Sequence, residues 1–221
     1  MRPRLLINAI SLTQQGGGRS YLRNLLRELD RDDRGLEVAV LSVPGALSKD
    51  ETRGIPLVEA RIPNWPGPAR TLLRVAYEEA WLPLRCGRFD ALYCVADLAP
   101  VKCPIPKIVA LRNFNIYDRR FYDTARTRAL FRLVRWGLRD AAAVVTPSRA
   151  AAHAIGPLVG VDPDAIEVVH HGIAAEAFDA GRADVPTDAN YLFLPANLER
   201  HKNIELLFDV VGRLDDPTLE V

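Results

Sequence analysis

Short apolar runs alternate with helix-length amphipathic patterns along almost the whole chain, and this alternation limits the fold more than any other feature. The runs predict strands at 5–10, 36–43, 55–62, 91–95, 107–111, 143–146, 166–170 and 191–194. Apolar residues recur at helical spacing over 19–30, 69–84, 125–139, 148–159 and 203–214. Nearly unbroken apolar strands between helices indicate a parallel sheet with both faces covered. We therefore predict an α/β fold: a Rossmann-like parallel sheet with helices on both faces.

The alternation is interrupted at 174–189, which is rich in Ala, Asp, Gly and Pro and shows no clear period. Such a stretch is typical of a linker. After it, 190–221 holds a single strand–turn–helix, which cannot bury both faces of its own strand. We therefore predict a first domain over 1–173, a linker over 174–189 and a partial second domain over 190–221.

Composition excludes several classes of protein. The 221 residues carry a formal net charge of +1, which does not favour nucleic acid as a partner. No apolar run reaches the ~18 residues that a membrane-spanning helix needs. Cys86, Cys94 and Cys103 lack the spacing of metal ligands. We expect free thiols in a cytoplasmic protein that uses no metal and no cofactor.

A glycine turn follows the first predicted strand and opens a predicted helix. It contains Gly16, Gly17 and Gly18 and is followed by Arg19. It lacks the Gly-Lys-Ser/Thr ending of a P-loop, and Tyr21 stands where a G-x-G-x-x-G motif has its last glycine. Two interpretations stay open: a flexible turn that caps the helix, or a turn whose backbone and Arg19 approach a ligand phosphate.

Polar residues follow three other predicted strands, at the edge where open α/β sheets bind ligands. Arg112 and Asn113 follow the fifth strand, Ser148 the sixth and His171 the seventh. His170 and His171 would point to opposite faces of an extended chain, so they do not chelate one metal together. Simpler roles remain open, since the arginine can pair at a sheet end and Ser148 can cap a helix.

A second strand–turn–helix near the C-terminus has a turn that starts at Asn197 and ends in Lys202 and Asn203. Asn203 can cap the following helix, which puts Lys202 at the positive end of that helix. A lysine gains nothing from the dipole there, so we interpret the turn as a place where an anion such as a diphosphate is held. A solvated loop lysine is the alternative.

The predicted helix 125–139 carries arginines on one side, at Arg128, Arg132, Arg135 and Arg139. Its apolar residues lie on the opposite side. A basic amphipathic helix can lie on an anionic membrane. The commoner explanation is a solvated face of a helix that packs on the core.

In this order, the motifs resemble those of GT-B-fold glycosyltransferases, in particular the large retaining group that includes sucrose, mannosyl and glycogen-type transferases. The matching segments are 16–19, 144–148, 168–173 and 197–203. The resemblance implies two Rossmann-like domains that face each other across a cleft. The N-terminal domain mainly holds the acceptor, and the C-terminal domain holds the nucleotide-sugar. This chain would then be the N-terminal half of a GT-B fold followed by a partial second domain.

The resemblance also implies residue roles. Lys202 would neutralise the diphosphate leaving group, and Asn197 stands where many members have an arginine. Arg112 and Asn113 would lie near the reacting centre, where many members have a His followed by an acidic or amide residue. The implied donor-diphosphate contacts are Gly16, Gly17, Gly18, Arg19, Asn197 and Lys202. Ser148 and His171 would be further residues of the cleft.

The implied reaction is metal-independent transfer of a sugar from a nucleotide-diphosphate sugar, the co-substrate, to a sugar or lipid-linked acceptor with retained configuration. A lipid-linked acceptor would bring a cytoplasmic protein into peripheral contact with an anionic membrane, at the inner face of the cell membrane. The acidic motif that contacts the donor sugar and ribose in this group would lie beyond Val221. We therefore expect the 221-residue chain to be inactive alone.

Two other hypotheses remain at this stage. The chain can be a non-catalytic acceptor-binding domain that partners with a separate donor-binding chain. A Rossmann-type dehydrogenase is the third hypothesis, but the sequence lacks the G-x-G-x-x-G turn that such an enzyme uses.

Overall fold

The computed structural model describes residues 2–13, 16–31, 35–62, 68–112, 117, 123–173, 192, 194 and 202–214. Within them, seven strands form one sheet in the order β3-β2-β1-β4-β5-β6-β7, and every pairing is parallel. The strands are β1 (Arg4–Asn8), β2 (Glu37–Ser42), β3 (Leu57–Glu59), β4 (Ala91–Cys94), β5 (Lys107–Ala110), β6 (Ala143–Thr146) and β7 (Glu167–Val168). The predicted Rossmann-like fold class is confirmed.

Most helices of the described ranges lie between strands along the chain, as the alternation predicts, and the last helix follows the final strand. The helices are α1 (Gly17–Arg31), α2 (Lys49–Thr52), α3 (Pro68–Ala76), α4 (Leu82–Arg85), α5 (Ala125–Gly137), α6 (Arg149–Val159) and α7 (Ile204–Leu214). A π-helical turn, Tyr77–Trp81, joins α3 to α4. Where α5 begins, the Thr124 side chain accepts a hydrogen bond from the Thr127 backbone N–H, which satisfies a free donor of the first turn.

Apolar side chains are buried on both faces of the sheet. The larger core packs β1, β4, β5 and β6 against α4, α5 and α6, through residues such as Leu82, Val134 and Ile155. On the other face, Leu22 and Leu26 of α1 pack against Ile7 and other strand residues. Burying each such side chain contributes about 1.5–3 kcal/mol. These two cores fix α1 and α5–α6 on opposite faces of the sheet.

Strand β1 ends at Asn8, two residues before the end of the predicted strand. The Asn8 Oδ1 accepts a hydrogen bond from the Ile10 backbone N–H at 3.3 Å, which closes a turn. The Asn8 Nδ2 donates to Glu78 Oε1 at 2.8 Å, from the π-helical turn. Burial raises the pKa of Glu78, and Arg74, whose Nε lies 3.2 Å from Glu78 Oε2, opposes that rise. The chain is thereby directed from β1 toward the glycine turn.

A buried lysine holds the amino edge of the sheet. Lys107, the first residue of β5, is 1% exposed. Its Nζ donates to the Pro100 carbonyl at 2.6 Å and lies 2.6 Å from Asp140 Oδ1. A buried ammonium needs such partners, because burying an unpaired charge is costly. Lys107 therefore ties the 100–101 loop and Asp140, three residues beyond the end of α5, to the start of β5.

The three cysteines are free thiols, and the Sγ atoms of Cys86 and Cys103 lie 3.8 Å apart. In the described ranges no helix has the length and apolar character needed to cross a membrane. The predicted linker 174–189 lies outside the described residues, as does most of the predicted strand 191–194. The division into 1–173, 174–189 and 190–221 therefore stays a prediction.

Candidate active site

The carboxyl edge of the sheet gathers residues from four separate stretches of chain. Gly18 lies in the first turn of α1, Arg112 follows β5, Ser148 follows β6 and His171 follows β7. A Cβ atom added to Gly18 would lie 3.2 Å from Arg112 Nη2 and 2.8 Å from Leu12 Cδ2. The glycine turn therefore lies directly against the arginine, and a larger residue at Gly18 would displace it.

Arg112 is a partly buried cation, and two of its hydrogen-bond donors are unused. Its guanidinium lies over the ring of Tyr21, with Cζ 4.2 Å from the ring centre. Within the part of the chain that the structure describes, its buried Nε and Nη1 have no hydrogen-bond partner. Burial lowers the pKa of Arg112. A buried donor without a partner costs about 1–3 kcal/mol, and more when charged, so this group is suited to an incoming anion.

The backbone around Arg112 is fixed by an aspartate. The Arg112 backbone N–H donates to Asp97 Oδ1 at 3.1 Å, and the Tyr117 hydroxyl donates to the same oxygen at 2.9 Å. Asp97 itself has a φ of 43°, in the left-handed region that few side chains adopt. Such backbone geometry persists where surrounding contacts enforce it. Asp97 thus positions Arg112 at the end of β5.

Tyr21 joins the arginine to a histidine and a second tyrosine. Its hydroxyl lies 2.7 Å from that of Tyr93 on β4. Its ring centre lies 4.9 Å from that of His171. Burial lowers the pKa of His171, and the charge of Arg112 lowers it further. Near neutral pH the cluster of Arg112, Tyr21, Tyr93 and His171, here called the edge cluster, therefore holds its positive charge on Arg112.

A groove of about 640 Å³ opens beside the edge cluster. One wall is α1, with Gly17, Tyr21 and Leu25, and the other is the segment after β7, including His171 and Ile173. Both apolar and polar side chains line it. Its volume falls in the range of small-molecule sites, which is about 300–1,000 Å³. The groove can therefore hold a sugar-sized ligand against Tyr21 and His171, the two members of the edge cluster that line it.

Arg19, which the sequence placed with the donor phosphates, pairs with a carboxylate in this structure. Its Nε and Nη2 each lie 2.7 Å from an oxygen of Glu51, in a bidentate pair. This pair, with the Ser48 backbone N–H, lowers the pKa of Glu51 to about 2. The Arg19 charge is thus balanced, and α1 is joined to α2. A contact of Arg19 with a phosphate stays a prediction.

Two further predicted cleft residues lie at the same edge with different surroundings. The Ser148 Oγ accepts a hydrogen bond from the Ala151 backbone N–H at 3.1 Å, so Ser148 caps α6, as its simpler interpretation holds. His170 Nδ1 lies 3.0 Å from the Pro147 carbonyl oxygen. Both His170 and His171 line the groove, and only His171 of the two stacks near Tyr21 in the described ranges.

The other predicted contacts lie near or beyond the described ranges. Lys202 is exposed and directly precedes Asn203, which has a φ of 47°, and α7. Asn113 and Asn197 lie outside the described residues. In the described ranges no cluster of three or more His, Cys, Asp or Glu side chains is arranged to hold a metal ion. Roles for Lys202, Asn113 and Asn197 therefore stay predictions.

Sequence reasoning missed Tyr21, Tyr93, Asp97 and Tyr117. Tyr21 lies one helical turn from Gly17 and Gly18, so its spacing was a usable signal. Tyr93 alternates with the buried Leu92 and Cys94 along β4, so it lies on the α1 face. For Asp97 and Tyr117 the sequence offered no signal, because their contacts depend on tertiary structure.

Comparison with models of known protein families identifies a family for this sequence. The sequence model described as Glycosyltransferase Family 4 matches residues 15–177. A search of curated proteins found no match.

Two solved structures share the architecture. HepE (Alr3699) of Anabaena, crystallised in complex with UDP-glucose, is 17% identical with a TM-score of 0.62, over 98% of this chain and 58% of that chain. The lipopolysaccharide outer core galactosyltransferase WaaB, in its apo form, is 12% identical with a TM-score of 0.53, over 96% of this chain and 57% of that chain. This chain thus spans less than two thirds of either protein.

These similarities concern the fold, which matches the N-terminal part of GT-B glycosyltransferases. The family match is broader than any single motif, because it runs from before the glycine turn to beyond His171 and covers more than half of the sequence. The chain therefore belongs to glycosyltransferase family 4.

Proposed function

We propose that this protein is a nucleotide-sugar-dependent glycosyltransferase. The carboxyl edge of the sheet would form the part of its active site that the N-terminal domain contributes. Family membership supports this class of reaction. The observation that carries the proposal is Arg112, a partly buried cation next to Gly18 and stacked on Tyr21, which lines the ligand-sized groove. In the described ranges its buried Nε and Nη1 have no hydrogen-bond partner. Such a group is suited to the negative charge of a nucleotide diphosphate or of a reacting sugar.

The proposed role of Arg112 is charge stabilisation. A guanidinium stays protonated in proteins, so Arg112 does not act as a general base. Its donors and the first N–H groups of α1 would face charge that develops as the bond between sugar and diphosphate breaks. Asn113 is proposed to act beside it. The finer proposal, from the resemblance to sucrose, mannosyl and glycogen-type transferases, is that the sugar is transferred with retained configuration.

The groove along α1 is proposed to hold the acceptor, a sugar or a lipid-linked sugar. Its wall carries apolar side chains such as Leu25 and Ile173 beside polar ones such as Asn24. Sugar rings bind well to such mixed surfaces, because their faces are apolar and their edges polar. A lipid-linked acceptor would require peripheral contact with an anionic membrane, for which Arg132 and Arg135 near the C-terminal end of α5 are proposed.

The 221-residue chain is proposed to bind a nucleotide diphosphate weakly and to transfer no sugar by itself. The edge cluster meets a ligand from one side and leaves its other side in water. An ion pair in water is worth only about 1 kcal/mol. In a longer polypeptide with a facing domain, the site would be drier, and Lys202→Ala would cost far more than it does here.

Calorimetric titration of the chain with nucleoside diphosphates and nucleotide-sugars tests this proposal. Replacing Arg112 by Gln should weaken binding about tenfold, since a charge-assisted contact to phosphate is lost. The matched control is Arg23→Gln, an exposed arginine of α1, which should leave the affinity unchanged. Equal affinities for the wild type and Arg112→Gln would contradict the proposal. A preference for nicotinamide dinucleotides would instead support a dehydrogenase.

A further inference from the structure

A second basic cavity lies far from the edge cluster. It occupies about 410 Å³ between the C-terminal ends of α5 and α6. Three arginines line it, Arg132, Arg135 and Arg139, together with Trp136 and the 159–161 segment. Both helices run antiparallel to the strands they precede, so their C-terminal ends lie at the amino edge of the sheet. This cavity, here called the basic pocket, is therefore at the opposite edge from Arg112.

The positive charge of the basic pocket is not balanced by the side chains that line it. None of its described lining residues is acidic. The nearest carboxylates in sequence are engaged elsewhere: Asp140 Oδ1 lies 2.6 Å from Lys107 Nζ, and Asp162 Oδ1 accepts the Asp164 backbone N–H at 3.1 Å. The structure also gives its three arginines no ion pair with the residues it describes.

The other arginines of α5 are already partnered, which sets the pocket apart from a generally basic helix face. Arg128 Nε lies 3.2 Å from Asp123 Oδ1. Arg126 Nη2 donates to Thr71 Oγ1 at 2.8 Å. The stripe expected from the sequence thus divides into a paired N-terminal part and an unpaired C-terminal part. The unpaired part lines a cavity.

The helix dipole does not account for the cluster. A cation near a helix C-terminus is stabilised only within about the last turn. Arg135 is in the last turn of α5, and its Nη2 lies 3.5 Å from where a Cβ atom of Gly160 would be, over the end of α6. Arg132 lies one turn earlier, beyond that reach. Three converging guanidinium groups therefore point to an external anion.

The aromatic ring of Trp136, which has an apolar face and one polar N–H group, lies at the rim of the basic pocket. The Trp136 side chain is 44% exposed, next to the arginines. An indole combines a large apolar face with one N–H donor and is typical of surfaces where an apolar group meets water. Arginine binds phosphate oxygens through two parallel N–H donors. The lining therefore matches a phosphate group joined to an organic substituent.

We propose that the basic pocket binds a phosphate monoester or diester. Two sources share this chemistry: the headgroup of an anionic phospholipid and a soluble phosphate compound. The site is separate from the proposed transferase site. The proposal rests on the proposed function in one respect only: contact with a membrane would bring a lipid headgroup to the pocket.

Two binding measurements on the 221-residue chain test the pocket. In the first, glycerol phosphate is titrated while the indole N–H resonance of Trp136, identified from Trp136→Phe, is followed by NMR at constant ionic strength. In the second, the chain is co-sedimented with vesicles of phosphatidylcholine alone or mixed with phosphatidylglycerol. The pocket variant is Arg132→Gln with Arg135→Gln. The matched control, Arg126→Gln with Arg128→Gln, removes the same charge from the same helix outside the pocket.

The pocket variant should weaken phosphate binding about tenfold or more, while the control retains it. Saturable binding of glycerol phosphate without vesicle binding identifies a soluble ligand, and charge-dependent vesicle binding identifies a lipid headgroup. Equal losses in the two double variants, or no binding of either probe by the wild type, would overturn the proposal. Nucleotide titration of the same samples reports on the Arg112 site, so failure of either proposal is seen independently.

Discussion

Arg112 carries a positive charge although burial disfavours the charged form of the guanidinium. This cost makes the edge cluster suited to binding an anion. Stacking on Tyr21 compensates part of the cost, since a cation over an aromatic ring gains about 0.5–2 kcal/mol. The unpaired Nε and Nη1 leave the remainder uncompensated in the ligand-free chain. Binding of an anion would remove that cost. Arg112 therefore stabilises the complex with the anion more than it stabilises the folded chain alone.

The space at Gly18 can be tested by adding one methyl group. Gly18→Ala would place a Cβ atom against the ends of the Leu12 and Arg112 side chains. Both side-chain ends can move, so we expect little change in the free energy of unfolding. We expect about a fivefold loss of nucleotide diphosphate affinity, because Arg112 is displaced. Calorimetry and urea denaturation measure the two quantities.

Gly17→Ala is the steric control for this change, because a Cβ atom there would meet no atom within 4 Å. Its free energy of unfolding should stay the same or rise, since alanine favours a helix more than glycine does by about 1 kcal/mol. If Gly18→Ala retains the affinity of the wild type, Arg112 does not depend on this glycine.

His171 reports on the charge of Arg112. We predict by NMR titration that the pKa of His171 lies below its ordinary value of 6.5. Arg112→Gln should raise this pKa but not restore 6.5, because burial, the larger cause, remains. Arg23→Gln serves as the control. A His171 pKa that does not respond to Arg112→Gln would show that the two groups are not coupled.

The sign of the pH effect on stability follows from this lowered pKa. Between the pKa of the folded state and 6.5, the unfolded chain binds more protons at His171 than the folded protein does. The stability contributed by neutral His171 is therefore present above about pH 6.5 and is lost as the pH falls through the folded-state pKa.

Part of the edge cluster was predictable from the sequence. Its members Arg112 and His171 follow predicted strands, as does the neighbouring glycine turn, and parallel strands bring their carboxyl ends to one edge. The surroundings were not predictable, because Arg19 pairs with Glu51 across 32 positions, and Asp97 holds the backbone at Arg112 from 15 positions away. Such pairings depend on which helices and loops pack together, and a single sequence does not encode that locally.

At the scale of the secondary-structure elements, β5 begins with a buried polar contact. The Lys107 ammonium is buried, while its partner Asp140 is 55% exposed. We predict that Asp140→Asn lowers the free energy of unfolding by about 1–3 kcal/mol, because a buried cation loses its counter-charge. Urea denaturation followed by circular dichroism measures this loss.

A double-mutant cycle identifies Lys107 as the cause of this loss. Lys107→Met keeps the aliphatic packing and removes the charge. In that background, Asp140→Asn should cost close to nothing, since no cation remains to be neutralised. An Asp140→Asn cost that is the same in both backgrounds would assign the effect to Asp140 alone.

The periodicity predicted the existence of the elements better than their lengths. Helix 125–139 corresponds to Ala125–Gly137, whereas strand 55–62 is reduced to Leu57–Glu59. The predicted helix 69–84 contains the π-helical turn Tyr77–Trp81, where Glu78 reaches Asn8. A hydrogen bond across 70 positions accompanies this change of helical register, and apolar spacing alone does not reveal it.

At the scale of the whole molecule, α7 is notable because none of its residues is buried and several of its apolar side chains are exposed. Leu206 and Phe208 are 54% and 63% exposed. Exposed apolar side chains this close together favour association. We predict that the 221-residue chain binds the dye ANS and that Leu206→Glu with Phe208→Glu reduces this fluorescence by about half or more.

The matched control for α7 replaces two exposed leucines elsewhere, Leu72→Glu with Leu84→Glu, which are 71% and 81% exposed in the wild type. This pair should change the dye signal less, because the two leucines lie on separate helices. An equal effect of both pairs would show that total apolar exposure, and not α7, determines dye binding.

The strand order divides the sheet into two consecutive stretches of polypeptide. Strands β1–β3 come from residues 4–59 and β4–β7 from residues 91–168, and they join only where β1 pairs with β4. That junction comprises the pairs from Leu5–Ala91 to Asn8–Cys94. Two fragments produced by cleavage between residues 62 and 68 would each keep a contiguous half-sheet. The protein is therefore suited to reassembly from two separately expressed polypeptides, with the edge cluster completed only when both halves associate.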